Sequence, residues 1–339
     1  MKMTKLLLFG ALIPLLACSK PSPDKAKPDK APPASRMRVQ AYLFSWNGNW
    51  ETPVSTADMA KVSDLTLAFF NPEANGDLGP DRAALKRAVD AARTKNSAIR
   101  IYFAIGGGSP SAHLEHLIKP ANRNAFIAKI VQLATDPGYG FEGVDVDLEN
   151  DLINVDYAGF VSALGTALHA NKKVMTAALA RWTTQQNIAD STLKQFDYIN
   201  IMSYDETGYW NPAVPGQHSS VAKAVNDFQY FKSRGVPAGK LLIGLPFYGY
   251  GFGSGFPATE ASARTYSQIV LTYPGAAGRD STIVSGAGTI WYNGQPTITG
   301  KVQFAASEKA AGVMIWELNQ DLPSTDERSL LRTIQQAIP

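Results

Sequence analysis

The stretch Phe141-Glu142-Gly143-Val144-Asp145-Val146-Asp147-Leu148-Glu149 decides how this 339-residue chain is read. On a β-strand successive side chains point to opposite faces, so Asp145, Asp147 and Glu149 share one face and Val144, Val146 and Leu148 the other. In a closed barrel the apolar face meets surrounding helices, while the acids face the interior and climb toward the C-terminal mouth, where active sites lie. Carboxylates this close raise one another's pKa, and at least one proton is shared or retained. Arg side chains or backbone donors could hold such acids in a purely structural role. A divalent metal gathers oxygen ligands from several segments, and a single strand at two-residue spacing offers poor geometry for three. The reading that uses all three acids is acid catalysis, with a protonated Glu149 at the top and the aspartates tuning it from below. No metal or organic cofactor is implied.

Working outward, short β-rich runs alternate with amphipathic stretches from residue 37 onward. Strands are expected at 39–46, 65–70, 100–106, 143–149, 174–180, 198–204, 241–247 and 312–317. Between them Leu85, Ala88, Val89 and Ala92 share one helical face, as do Phe126, Ile127, Ile130, Val131 and Ala134. Further helices are expected at 156–170, 220–233, 302–311 and 326–337. Eight strands with intervening helices in about three hundred residues indicate an α/β fold. A single (β/α)8 TIM barrel fits that pattern better than a doubly wound sheet. The stretch 254–300 is long for a loop and carries turn signals at Tyr273-Pro274-Gly275 and Asn293-Gly294, so it reads as a small β-rich insertion after strand seven. The glycines at 249–255 read as a flexible loop.

The N-terminus has another character. Lys2 and Lys5 precede an apolar run at 6–16, and Leu15-Leu16-Ala17-Cys18 resembles a bacterial lipobox, giving a lipoprotein signal peptide over 1–18 with Cys18 as the acylated residue. The run is too short to span a bilayer. Cys18 is the only cysteine, which excludes a disulfide framework. Residues 19–36 are Pro, Lys, Asp, Ala and Ser with little that is apolar, as in an extended tether, and the folded body is 37–339. Ser19 after the lipobox cysteine resembles outer-membrane sorting in Gram-negative cells, so the expected location is the cell envelope, with the lipid anchor the only contact with the membrane. The formal charge is +3, and four lysines fall within 20–30, so nucleic acid is not an expected partner.

Residues 143–149 resemble the DGxDxDxE signature of glycoside hydrolase family 18, which comprises chitinases and endo-β-N-acetylglucosaminidases. The resemblance extends over the body. Ala104-Ile105-Gly106-Gly107 is similar to the family's SxGG, Met202-Ser203-Tyr204-Asp205 matches its MxYD, and Trp316 stands where its strand-eight tryptophan closes the sugar site. Glu142 and Ala104 depart from the pattern outside the acid triad and bear on local packing. The resemblance implies retaining, substrate-assisted hydrolysis of β-1,4 bonds next to N-acetylglucosamine. Glu149 would act as acid and then base, Asp147 would orient the acetamide N–H above Asp145, the two aspartates sharing a proton, and Tyr204 would donate to the acetamide carbonyl with Asp205 beside it. Trp316, Asp205, Met202, Tyr42, Trp210 and Trp182 are the expected sugar contacts. Trp46, Trp182, Trp210 and Trp316 fall at or beyond C-terminal strand ends, where aromatic faces suit pyranose rings. The partner is thus an N-acetylglucosamine polysaccharide or oligosaccharide, bound by a monomer. The run 204–212 leans toward a chitinase; an endo-β-N-acetylglucosaminidase and a non-catalytic lectin are the alternatives.

Two other signals are set aside. Ile105-Gly106-Gly107-Gly108-Ser109 lacks the Gly-Lys-Ser/Thr ending of a phosphate cradle and reads as close backbone packing at the mouth. His113, Glu115 and His116 lack HExxH spacing and read as a solvated surface.

Overall fold

In the computed structural model, which describes Met1 and residues 37–45, 47–181 and 185–339, each expected barrel strand is present. They are β1 (Arg38–Phe44), β2 (Asp64–Ala68), β3 (Arg100–Gly106), β4 (Gly143–Asp147), β5 (Val174–Leu179), β6 (Tyr198–Ile201) and β7 (Leu241–Pro246). After β7 come β8 (Tyr248–Phe252), β9 (Ala263–Thr265), β10 (Ser281–Val284) and β11 (Gly288–Tyr292), before β12 (Gly312–Trp316) completes the barrel. The barrel closes in the order β1-β12-β7-β6-β5-β4-β3-β2 with neighbours parallel. Cys18, Trp46, Trp182, the expected signal and the tether lie outside the described residues. Among the described residues no helix is long and apolar enough to cross a membrane.

Strand alternation builds two separate cores. Val39, Leu43, Leu65, Ile101, Val144, Val146 and Leu148 point outward into one apolar layer with Leu85, Val89, Phe126 and Ile130 of the helices. The inward residues Tyr42, Ala104, Ala178, Met202, Tyr204, Leu242 and Met314 form the other. The barrel floor is closed by charge. Arg38 donates to Asp64 at 2.5 Å and to the Tyr102 hydroxyl at 2.9 Å, and Arg100 donates to Asp64 at 2.7 Å. The buried Asp64 carboxylate is thus held by two guanidinium groups, as a buried ion requires. The open end is therefore the mouth above β4.

The excursion after β7 is indeed β-rich, but its bounds differ from 254–300. Its four-stranded antiparallel sheet, ordered β10-β11-β8-β9, spans 248–292, and 295–300 already belong to the helix Gln295–Ser307. The expected 249–255 loop is instead largely β8. In Tyr248-Gly249-Tyr250-Gly251-Phe252 aromatics alternate with glycines, a period-two pattern. A Cβ at Gly249 would lie 2.2 Å from the Trp291 carbonyl of the paired strand β11 and one at Gly251 2.1 Å from the Phe256 ring, so neighbouring chain crowds both glycines. Asn293-Gly294 is not a hairpin turn. Gly294 is the N-cap of the helix Gln295–Ser307 and Pro296 stands in its first turn, which proline's fixed φ suits. That helix therefore begins well before the expected residue 302. Similarly, Ser329 caps the last helix, Leu330–Ala337, which is shorter than expected.

Candidate active site

Glu149 lies beyond the last ladder residue of β4, yet its backbone stays extended (φ −120°, ψ 164°), so the alternation carries it to the same face as Asp145 and Asp147. All three acids are buried. Their environments diverge. Asp145 accepts from the Tyr42 hydroxyl at 2.7 Å, from the Thr176 hydroxyl, and from Asn200 Nδ2 at 3.2 Å, and Asn200 also donates to Tyr42 at 2.9 Å. Burial pushes its carboxyl up to about 6 against those three donors. Asp147 has no such support: its Oδ1 is buried without a partner, and burial with the charges of Glu149 and Asp145 holds its pKa well above the usual range. Asp145 is thus the better place for charge and Asp147 for a proton. Glu149 is raised to about 7, first by burial and then by Asp205, which suits a group that must give and take a proton near neutrality.

The loop after β6 supplies Tyr204 and Asp205. Tyr204 is buried, and burial together with the acids around it keeps its hydroxyl protonated and able to donate. Asp205 sits in the left-handed region (φ 59°), which a short polar side chain tolerates better than most. Its Oδ1 accepts from the hydroxyls of Tyr248 at 2.6 Å and Tyr250 at 3.0 Å, both on β8. Met202 packs in the inner core beneath this loop. Trp210 is half exposed and stands edge-on to Tyr250, with ring centroids 5.3 Å apart.

Trp316, at the end of β12, lines an open cleft of about 690 Å³ together with Phe44, Phe69, Asn71, Glu73 and Glu317. Phe69 stacks against Trp316 with centroids 5.7 Å apart. Gly108, which also lines the cleft, approaches Glu149 closely enough that a Cβ there would lie 3.7 Å from Oε1. The glycines before it do what close packing at the mouth requires. A Cβ at Gly106 would fall 2.1 Å from the Asp147 carbonyl, and Gly107 (φ 86°) lies under the Phe69 ring. Glu317 is pushed up to about 7 by burial, against backbone N–H groups of Phe44 and Asn319.

The structure thus brings together Asp145, Asp147, Glu149, Tyr204, Asp205, Met202 and Tyr42, and places Trp316 and Trp210 at the mouth. Tyr42 is fully buried and donates its hydroxyl to Asp145, so it supports the carboxylate, with its ring beside Trp316. His113 and His116 are exposed, as expected. Thr176, Asn200, Tyr248, Tyr250 and His218 were not anticipated. Thr176 and Asn200 are polar residues at inward positions of β5 and β6, a signal present in the sequence. The tyrosines sit in the aromatic–glycine alternation of β8.

Comparison with known proteins agrees with this architecture. The pattern of Glycosyl hydrolases family 18 matches residues 38–321. The chain belongs to that family. The solved chitinase ChiB from the chitin utilization locus of Flavobacterium johnsoniae is 36% identical, with a TM-score of 0.78 over 90% of this chain and 94% of that one. Human chitinase-3-like protein 2 is 23% identical over 350 residues, which cover 85% of this chain and 87% of that one. A chitinase from Cycas revoluta, solved in complex with (GlcNAc)3, is 21% identical and shares the fold with a TM-score of 0.75, over 88% of this chain and 99% of that one.

Proposed function

We propose that the chain is a chitinase that hydrolyses β-1,4 bonds between N-acetylglucosamine units with retention, using the substrate's own acetamide as nucleophile. The observation that carries this reading is the contrast on β4 between a well-bonded Asp145 and an Asp147 whose buried Oδ1 has no partner. A buried acceptor left open is unfavourable by about 1–3 kcal/mol, and an acetamide N–H would fill it. Glu149, protonated below about pH 7, passes its proton to the glycosidic oxygen as that bond breaks. The acetamide carbonyl oxygen, held by the Tyr204 hydroxyl, bonds to the anomeric carbon and gives an oxazolinium ion. The Asp145–Asp147 pair stabilises its positive charge. The Glu149 carboxylate then takes a proton from water as that water's oxygen attacks the anomeric carbon, which restores the acetamide and retains configuration. Trp316, backed by Phe69, supplies a flat apolar face for a pyranose ring. As part of the same reading, residues 1–18 are a lipoprotein signal ending at Cys18 and 19–36 a tether, which place the body at the cell envelope.

The test is chromatography of products from chitohexaose incubated with residues 37–339, with Glu149→Gln as control. Shorter N-acetylglucosamine oligomers from the unsubstituted protein alone are expected. Products from an N-glycan chitobiose core but not from chitohexaose would replace the chitinase by an endo-β-N-acetylglucosaminidase, and binding without cleavage of either would make it a lectin. Glu149→Gln is expected to lower kcat by about 10²–10⁴-fold, the usual yield of general acid–base catalysis. Near-full activity would overturn the mechanism.

A further inference from the structure

His218 makes the least expected contact with the site. Its side chain is fully buried, in the loop before the helix Val221–Ser233, and its ring lies 5.0–5.1 Å from those of Tyr250 and Tyr248. Nε2 lies 3.3 Å from the Tyr248 carbonyl, an acceptor only, so the proton is on Nε2. Nδ1 then faces Asp205 twice, at 3.4 Å from its backbone N–H and at 3.3 Å from Oδ1. In the neutral ring Nδ1 accepts from the Asp205 N–H; in the imidazolium it donates to the Asp205 carboxylate. Either way the ring orientation is fixed by Tyr248, and the left-handed Asp205 is held from behind. The Glu206 N–H closes the same junction by donating to the His218 carbonyl at 3.0 Å.

The segment that presents His218 is itself anchored. Lys301, on the helix Gln295–Ser307, is completely buried. Its Nζ donates to the Ser219 hydroxyl at 2.6 Å and to Asn293 Oδ1 at 2.7 Å. The Ser219 hydroxyl in turn donates to the carbonyl of Ser203, next to Tyr204, and Asn293 Nδ2 donates to the Ser219 carbonyl at 2.8 Å. A buried amino group is unfavourable unless bonded, and these bonds tie together three pieces of chain that the mechanism leaves unconnected.

We infer that His218 is a positioning residue for the proposed reaction, fixing the Asp205 carboxylate beside Glu149, with Lys301 and Asn293 holding His218 in place. The inference rests on the chitinase reading only for its turnover readout. The titratable groups around the ring are Asp205 and Glu206 after β6 and Tyr248 and Tyr250 on β8, with Lys301 behind Ser219. Without the imidazole, Asp205 is held by two tyrosine hydroxyls and can turn toward solvent, so Glu149 loses a negative neighbour.

The experiment compares His218→Phe, which keeps a ring, with His218→Asn, whose amide oxygen can take the place of Nδ1. In folded His218→Phe, kcat should fall about ten- to a hundredfold with KM little changed, as for a misplaced reacting group. The alkaline limb of the pH–rate profile should move to lower pH. His218→Asn should recover most of the rate and the wild-type limb, and Ser219→Ala should show the Phe effect in weaker form. A ¹³C NMR titration of the Glu149 carboxyl reads the same shift without turnover, so an enzyme inert on chitohexaose would end the chitinase reading while still testing His218. A folded His218→Phe with wild-type kcat and an unmoved Glu149 titration overturns the inference. Equal behaviour of the Phe and Asn variants overturns the role of Nδ1.

Discussion

Tyr42→Phe removes one oxygen and leaves the ring beside Trp316, with centroids 5.6 Å apart, free to keep its packing. The Asn200 Nδ2 loses the hydroxyl it donates to but keeps Asp145, and Asp145 loses the 2.7 Å hydrogen bond from Tyr42, one of three that favour its charged form against burial. A hydrogen bond to a charged group contributes about 1.5–3 kcal/mol, and 1.36 kcal/mol is one pKa unit, so the Asp145 carboxyl should rise from about 6 to roughly 7–8. At about pH 6 its ionised fraction would drop from about half to between roughly a tenth and a hundredth, and the rate about five- to fiftyfold if that charge supports the oxazolinium. The assay is kcat on a chromogenic chitooligosaccharide across about pH 5 to 9, taken as the ratio of variant to wild type. That ratio should climb toward unity as pH rises and Asp145 ionises in both proteins. A ratio of one at pH 6, or a loss independent of pH, would refute the assignment of charge to Asp145.

Two further outcomes concern stability. Glu149 has its folded pKa raised from 4.5 to about 7, so the stability it contributes is complete below its unfolded pKa and is lost as pH rises through about 7. The difference is on the order of 3 kcal/mol, and Glu149→Gln should unfold at a higher temperature than wild type at about pH 8 while matching it near pH 4. Calorimetry that finds the two equal at both pH values would remove the buried-acid account. Gly107→Ala sets a Cβ 2.4 Å from the Phe69 ring at φ 86°; it should lower stability by at least about 1 kcal/mol and raise KM as Phe69 shifts under Trp316. Wild-type KM in that variant would show that Phe69 does not shape the sugar platform.

The barrel was legible because each of its strands obeys one rule over its whole length. Val144, Val146 and Leu148 face helices and Asp145 and Asp147 face the interior, so a period of two gives the orientation of every acid before any coordinate is known. The site was legible where it is local to one strand or loop, as at Asp145 to Glu149 and Met202 to Asp205. What could not be read is what closure of the barrel brings from afar. Tyr42 lies 103 residues from the Asp145 it bonds, and Asn200 lies 55 away. The bond from Tyr42 to Asp145 is hidden for that reason, since a tyrosine on a strand looks the same whether its hydroxyl faces a sugar or an aspartate. The insertion was placed correctly but bounded poorly, because glycines that signal a loop in isolation are also what a strand uses where another backbone crowds it.

Only Phe247 separates β7 from β8, and this seam limits how the molecule could be remodelled. A minimal barrel made by cutting out the small sheet would retain every acid and lose Tyr248 and Tyr250, the two hydroxyls that grip Asp205. The appendage is therefore wired into the reaction centre at its first turn. A loop exchange between relatives that begins before Phe252 would thus replace part of the machinery itself.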